Sequence, residues 1–298
     1  MKKFISRIRA FTIILTIVVV SFTGGIYFIQ SKASFKLPPD KHILIIGDSH
    51  TQVTIDDKIY RHAVNVSQGG TAYLYSYCKL EKFLNENKHI DTVFLSFHYG
   101  ALIFHVDNIL GENSMVVRIP LHLTLLNKDE IAIFANRKMI LLNSVFHSPY
   151  ALALKFIMKG GRISYEDLGI GGHVKIKWNK LQEDIALQQN KQTEEENISF
   201  YQKEYLLKIA DLCKSRNVKL ILINPPTYKP EIYGNIDKLN NFHNTYLPEV
   251  TFWDCSTLPL PDDCYGDIGH LNYKGAEIFS KYLQEIKFKG TLLHYQNQ

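Results

Sequence analysis

The sequence predicts an α/β protein built on a parallel sheet of about five strands, with a mostly helical insertion and an N-terminal transmembrane helix. Three observations predict it. Short continuous apolar runs recur along the chain, as strands buried on both faces require. Stretches with apolar residues at helical spacing separate them, which is the βαβ alternation. About twenty uncharged residues near the N-terminus follow a basic flank, the length a helix needs to cross a bilayer.

That flank, residues 1–9, carries Lys2, Lys3, Arg7 and Arg9, and the uncharged run spans 10–30. Gly24-Gly25 interrupts the run, but Ile26-Tyr27-Phe28-Ile29 resumes it. No Ala-x-Ala cleavage site follows, Ser31-Lys32-Ala33 being the nearest candidate, so an uncleaved signal anchor is favoured over a cleaved peptide. The basic tail then stays cytoplasmic and everything after Ser31 lies across the membrane. Residues 31–41, with Pro38-Pro39, form a linker, and 42–298 the folded domain.

Strands are expected at 42–47, 63–67, 91–97, 218–223 and, more weakly, 250–254. Helices are expected at 71–87, at 199–216 with Tyr205, Leu206, Ile209 and Leu212 on one face, and at 273–286. Residues 101–198 break the alternation. They hold helix-like segments at 119–126, 130–142 and 149–158, the turn Gly169-Ile170-Gly171-Gly172, and a polar stretch at 180–197. This insertion is expected to cap the strand ends.

Composition excludes some classes. The chain has 298 residues, 46% hydrophobic and 21% charged, and its net charge of +5 comes from scattered basic residues and the N-terminal tail. That argues against a nucleic-acid groove. Cys78, Cys213, Cys255 and Cys264 are compatible with an exported domain. Cys255 and Cys264 share one loop region and either pair or stand as isolated thiols. No Cys/His cluster has metal-ligand spacing, and neither a metal nor an organic cofactor is expected.

Two motifs carry the chemistry. Gly47-Asp48-Ser49-His50 follows the first strand, and Asp267-Ile268-Gly269-His270 precedes the last helix. Together they supply a nucleophile in Ser49, a base in His270 and an orienting carboxylate in Asp267. In an open parallel sheet, ligands sit at the carboxyl ends of the strands near the point where strand order reverses. The second strand ends in Asn65-Val66-Ser67-Gln68-Gly69-Gly70-Thr71 and the third in Ser96-Phe97-His98-Tyr99-Gly100, so four loops converge there.

These residues resemble the SGNH (GDSL-like) hydrolases, esterases and acyltransferases on a three-layer flavodoxin-like fold. The match covers 42–100 and 218–286: Gly47-Asp48-Ser49, Asn65 with Gly70, and Asp267 with His270. The resemblance implies an oxyanion hole made by the N–H groups of Ser49 and Gly70. The family's third block is Gly-x-Asn-Asp, and this chain departs from it. His98 stands where the Asn side chain completes the hole, either as a substitute donor or as a buried histidine. Asp48 is expected to brace its turn, His50 either to sit at the rim or to contact substrate, and Tyr99 to pack or to wall the substrate. Arg162 and Tyr228 are loop candidates for substrate contact. His105, His122, His147 and His173 show no partner pattern.

The resemblance implies an anchored extracytoplasmic ester hydrolase or O-acyltransferase acting on ester-bearing, possibly polysaccharide, substrates of the cell envelope. A lipase or lysophospholipase with an apolar lid is one rival. A non-catalytic glycan- or partner-binding protein is another.

Overall fold

The computed structural model describes residues 2–103, 113–134, 151–188, 197–230 and 235–289. The expected positions His105 and His147, much of 130–142, and 189–196 of the polar stretch lie outside the described residues. The chain divides into two compact units, Lys36–Val106 with Gly171–Gln298, and Met1–Phe35 with Asp107–Ile170.

The larger unit is the α/β fold. Its strands are β1 (Ile43–Ile46), β2 (Ala63–Asn65), β3 (Thr92–Ser96), β4 (Lys219–Asn224) and β5 (Thr251–Asp254). They form one sheet in the order β2-β1-β3-β4-β5, every pair parallel. This is the flavodoxin-like order, and it reverses between β1 and β3. The Ile-Leu-Ile-Ile of β1 is buried throughout, so both of its faces are covered. Ile43, Ile45, Phe94, Ile221 and Ile223 share one face and pack with Leu271, Phe279 and Leu283. The alternate residues Leu44, Val93, Leu95 and Leu222 are equally buried on the opposite face, by the period of two of a strand. The helices Tyr73–Glu86 and Phe200–Ser215 pack on each other, as do Ser49–Thr54 and Tyr273–Lys289.

Among the described residues of this unit, short or exposed helices are not anticipated by periodicity, the five-residue Tyr99–Ile103 among them. Ser49–Thr54 is a six-residue helix, too short to show a repeat. Ile236–Tyr246 hides its pattern because only Leu239 and Phe242 among its residues are buried. Part of the polar stretch is helical, Leu181–Gln188. Cys255 and Cys264 are unbridged thiols.

The smaller unit begins with the helix Lys2–Ser31, about 45 Å long at 1.5 Å per residue. Its apolar side chains are largely exposed, Phe4 and Phe11 by two thirds, while Thr23, Ile26 and Gln30 are buried. Gln30 Nε2 donates to the carbonyls of Pro120 and Leu121 at 3.0 and 2.7 Å, tying this helix to Asn113–His122. It also packs against Ala151–Met158. The helix Lys128–Ile133 starts with a capping box, Asn127 and Glu130 satisfying each other's backbone N–H groups.

Candidate active site

The site forms where β1 and β3 diverge. Gly47 ends β1 with φ +151°, and a Cβ there would stand 2.3 Å from Ser96 Cβ and 2.9 Å from Thr51 Oγ1. Only glycine lets the two strand ends pass so closely. Asp48 then caps the short helix, its Oδ1 accepting the His50 N–H at 3.0 Å. Ser49 is the first residue of that helix and projects into the crevice.

The loop after β2 is tied to this turn by polar contacts. Asn65 Nδ2 donates to the carbonyls of Thr51 and Ile55, and Asn65 Oδ1 accepts the Ser67 N–H. The Gln68 N–H donates to the Gly47 carbonyl at 2.9 Å. Gly69 faces Ser49: a Cβ on it would lie 3.4 Å from Ser49 Cβ. Its N–H is given to Gln52 Oε1 at 2.7 Å. Gly70 follows in the left-handed region, φ +64°, at the exposed rim of the loop.

The third loop is braced by Asn272. Its Nδ2 donates to the carbonyls of Asp263 and Tyr265, and its Oδ1 accepts from the N–H groups of Lys274 and Gly275 where the last helix begins. Within the turn so fixed, Asp267 Oδ1 accepts the Gly269 N–H at 2.8 Å. His270 Nδ1 lies 2.9 and 3.0 Å from the two Asp267 oxygens, and its Nε2 lies 2.8 Å from Ser49 Oγ. A carboxylate accepts only, so Nδ1 carries the proton and Nε2 presents its lone pair to the serine hydroxyl. The structure therefore brings Ser49, His270 and Asp267 together in one hydrogen-bonded line.

Electrostatics follow from burial and these contacts. Burial works against the charged forms of both partners, but the mutual hydrogen bond and charge outweigh it. His270 is raised above the ordinary imidazole value and Asp267 is held below the carboxylate range.

A second cluster adjoins the first. His98 Nε2 lies 2.6 Å from Asp48 Oδ2, and Ser96 Oγ donates to Asp48 Oδ1 at 2.9 Å. Three imidazoles run in a row, His50 between His98 at 3.7 Å and His270 at 4.7 Å, ring centre to ring centre. Burial would raise Asp48, but the charges of His98 and His50 and the hydrogen bond of His98 hold it well below its usual range. His50 is pushed down to about 4, first by burial and then by His98, against the opposing pull of Asp48. Asp48, His50 and His98 also present ligand-type atoms all within 4.8 Å of one another. Beside them lies a cavity of about 260 Å³ lined by His50, His98, Tyr99, Gly100, Asn224 and Ile268 among others.

Of the other sequence candidates, Tyr228 is buried and its N–H donates to the Ile268 carbonyl. His122 Nδ1 meets the Arg118 carbonyl, and His173 sits between the Val53 carbonyl and Asp56. Arg162 lies in the smaller unit and is exposed. His50 is half-buried, packed between two other imidazoles, and lines the cavity. Sequence reasoning missed Gly69, Asn272 and the hub role of Asp48. An Asn just before a helix is a capping signal that could have found Asn272. No spacing pairs Asp48 with His98, fifty positions away.

Comparisons with known proteins add little to this geometry. One family profile matches residues 177–289, less than half of the chain. No curated protein matches it. Among solved structures, it is similar to a candidate platelet activating factor from Streptococcus pneumonia, at 12% identity and TM-score 0.41, covering 92% of this chain and 96% of that one. It is also similar to a GDSL-like lipase from Bacteroides thetaiotaomicron, at 11% identity and TM-score 0.38, covering 90% and 98%. A candidate acylhydrolase from Bacteroides fragilis gives 11% identity and TM-score 0.36, covering 88% and 93%.

Proposed function

We propose that this chain is a serine ester hydrolase or O-acyltransferase of the SGNH type, held at a membrane by its N-terminal helix. The observation that carries the reading is the line Ser49 Oγ–His270 Nε2 at 2.8 Å and His270 Nδ1–Asp267 at 2.9 Å. Ser49 Oγ attacks an ester carbonyl while its proton passes to His270 Nε2. The imidazolium so formed is stabilised by Asp267. The tetrahedral oxyanion is held by the N–H groups of Ser49 and Gly70. The Gly69 N–H is committed to Gln52, which leaves the Gly70 N–H as the donor of that loop. Collapse breaks the carbon–oxygen bond to the alcohol, which leaves with the proton of His270. Water or a second hydroxyl then takes the acyl group from Ser49 by the reverse steps.

His98 adds a third donor only when its Nδ1 bears a proton, because Nε2 is turned to Asp48. A neutral ring that donates from Nε2 presents a lone pair at Nδ1.

In this reading the apolar helix and its basic flank hold the α/β unit on the extracytoplasmic side, where acylated carbohydrate of the cell envelope is within reach. A lipid substrate has one observation in its favour. Leu154, Ile157 and Met158 form an exposed apolar stripe on one helix, at 61, 74 and 76% exposure. The deciding experiment compares turnover of acetylated polysaccharide with that of palmitoyl esters and lysophospholipid. Preference for acetyl supports the carbohydrate reading, and preference for long chains overturns it in favour of the lipase.

A further inference from the structure

We propose that Asp48, His50 and His98 form a binding site for a divalent transition-metal ion of the zinc type, beside the serine nucleophile. The first ground is the donor set. Two imidazoles and one carboxylate, with a fourth position open, are the ligands of catalytic zinc sites. Here they come from two loops at the switch point of the sheet, and the open side faces the cavity that His50 and His98 line.

The second ground is an atom the hydrogen bonds leave over. His50 Nδ1 is buried with no hydrogen-bond partner. It stands 3.5 Å from Asp48 Oδ1, beyond hydrogen-bonding geometry. An orphaned imidazole nitrogen in such a place is costly unless something else takes its lone pair. A cation held between it, Asp48 and His98 Nε2 would do so.

Spacing agrees. With metal–ligand bonds of about 2.0–2.1 Å, tetrahedral ligand atoms stand about 3.3 Å apart. His50 Nδ1 stands 3.5 Å from Oδ1 of the Asp48 carboxylate, and one ligand atom from each residue lies within 4.8 Å of the others, so the His50 ring closes in as the ion binds. The 2.6 Å from His98 Nε2 to Asp48 Oδ2 must open by about 0.7 Å, as follows when a metal ion replaces the proton between them. The carboxylate is meanwhile oriented from behind by the Ser96 hydroxyl and the His50 N–H, both on Oδ1. Such outer partners are what metal-binding carboxylates require.

Binding has a consequence for the chemistry proposed above, and this clause alone rests on that reading. Metal on His98 Nε2 moves the ring proton to Nδ1. That nitrogen lies toward Gly100, which also lines the cavity: a Cβ on Gly100 would stand 3.2 Å from it. The ion thus puts His98 into the tautomer that donates to an oxyanion.

The test is equilibrium binding of Zn²⁺ and Co²⁺ to the full-length protein in detergent, by calorimetry and by the visible absorption of tetrahedral Co²⁺. The expected result is one site with micromolar or tighter affinity, weakened at least tenfold in His50→Ala and in His98→Gln, and retained in Ser49→Ala. Circular dichroism establishes that each variant is folded; should His50→Ala not fold, His50→Phe keeps the ring stack and removes the ligand. No binding at 100 µM metal overturns the proposal. So does binding that survives both histidine substitutions, since the ion would then sit elsewhere. Fluorophosphonate labelling of Ser49 reads the nucleophile separately, so failure of the metal site and failure of the esterase reading are told apart.

Discussion

Replacing Asp267 by Asn tests how the carboxylate serves His270, and the geometry fixes what to expect. Asp267 Oδ1 accepts both the Gly269 N–H at 2.8 Å and the His270 Nδ1–H at 2.9 Å, while Oδ2 lies 3.0 Å from the same Nδ1. An asparagine with its oxygen at the Oδ1 place keeps both bonds but sets its NH₂ against Nδ1. The flipped amide opposes the Gly269 N–H and favours the tautomer with Nε2 protonated. That tautomer cannot take the Ser49 proton. Either orientation removes the charge that stabilises the imidazolium, and loss of this function costs on the order of 10³- to 10⁴-fold in kcat, or about 4–5.5 kcal/mol of barrier. The pH profile gives a second readout. His270 must be neutral to accept a proton, and its pKa is raised because the hydrogen bond and charge of Asp267 outweigh burial. Activity of the wild type therefore falls as pH drops through a value above the ordinary imidazole pKa of about 6.5. Without the carboxylate, burial is opposed only by the weaker pull of Asp48 and Asp184, and the acid limb moves to lower pH. The assay is hydrolysis of p-nitrophenyl acetate between pH 5 and 9. A variant within threefold of wild type, with its acid limb unmoved, would refute the reasoning.

Three further outcomes follow. Gly47→Ala forces a Cβ to 2.3 Å from Ser96 Cβ at φ +151°. Overpacking and backbone strain together should cost about 3 kcal/mol, near 10 °C in Tm, and an unchanged calorimetric Tm would contradict the close approach of the strand ends. Asp48 and Asp267 both have depressed pKa values, so their contribution to stability is present above the usual carboxylate pKa of about 3.9 and is lost as pH falls through their folded values. Thermal unfolding scans from pH 6 to 3 should show that loss, reduced in Asp48→Asn; an identical profile in the variant would exclude Asp48 as a contributor. The full-length protein should stay with the membrane pellet after alkaline carbonate extraction, whereas release into the supernatant would show that Lys2–Ser31 does not span.

The sheet was legible because its strands are buried on both faces. The continuous Ile43–Ile46 and Lys219–Asn224 runs cannot be amphipathic, and glycine or proline closes each of them. Ser49–Thr54 was not legible, since a six-residue helix has less than two turns of pattern. Ile236–Tyr246 was not, because a helix lying mostly in solvent needs only two buried anchors. At the site, Ser49, Asp267 and His270 could be named because a hydroxyl, a carboxylate and an imidazole stand in short motifs at strand ends. The pairing of Asp48 with His98 could not. It depends on β1 and β3 being adjacent in space, so that a ring at the end of β3 reaches the Asp48 carboxylate. The histidine row has the same origin: His50, His98 and His270 come from three loops, and only the sheet order brings their rings side by side.

The most direct test of the central claim is covalent labelling of the full-length protein with a fluorophosphonate, located by peptide mass spectrometry. Ser49 Oγ should displace fluoride and carry one phosphonyl group, with labelling abolished in Ser49→Ala and slowed by orders of magnitude in His270→Ala. Folded wild-type protein that stays unlabelled, or a label on any serine other than Ser49, would contradict the account.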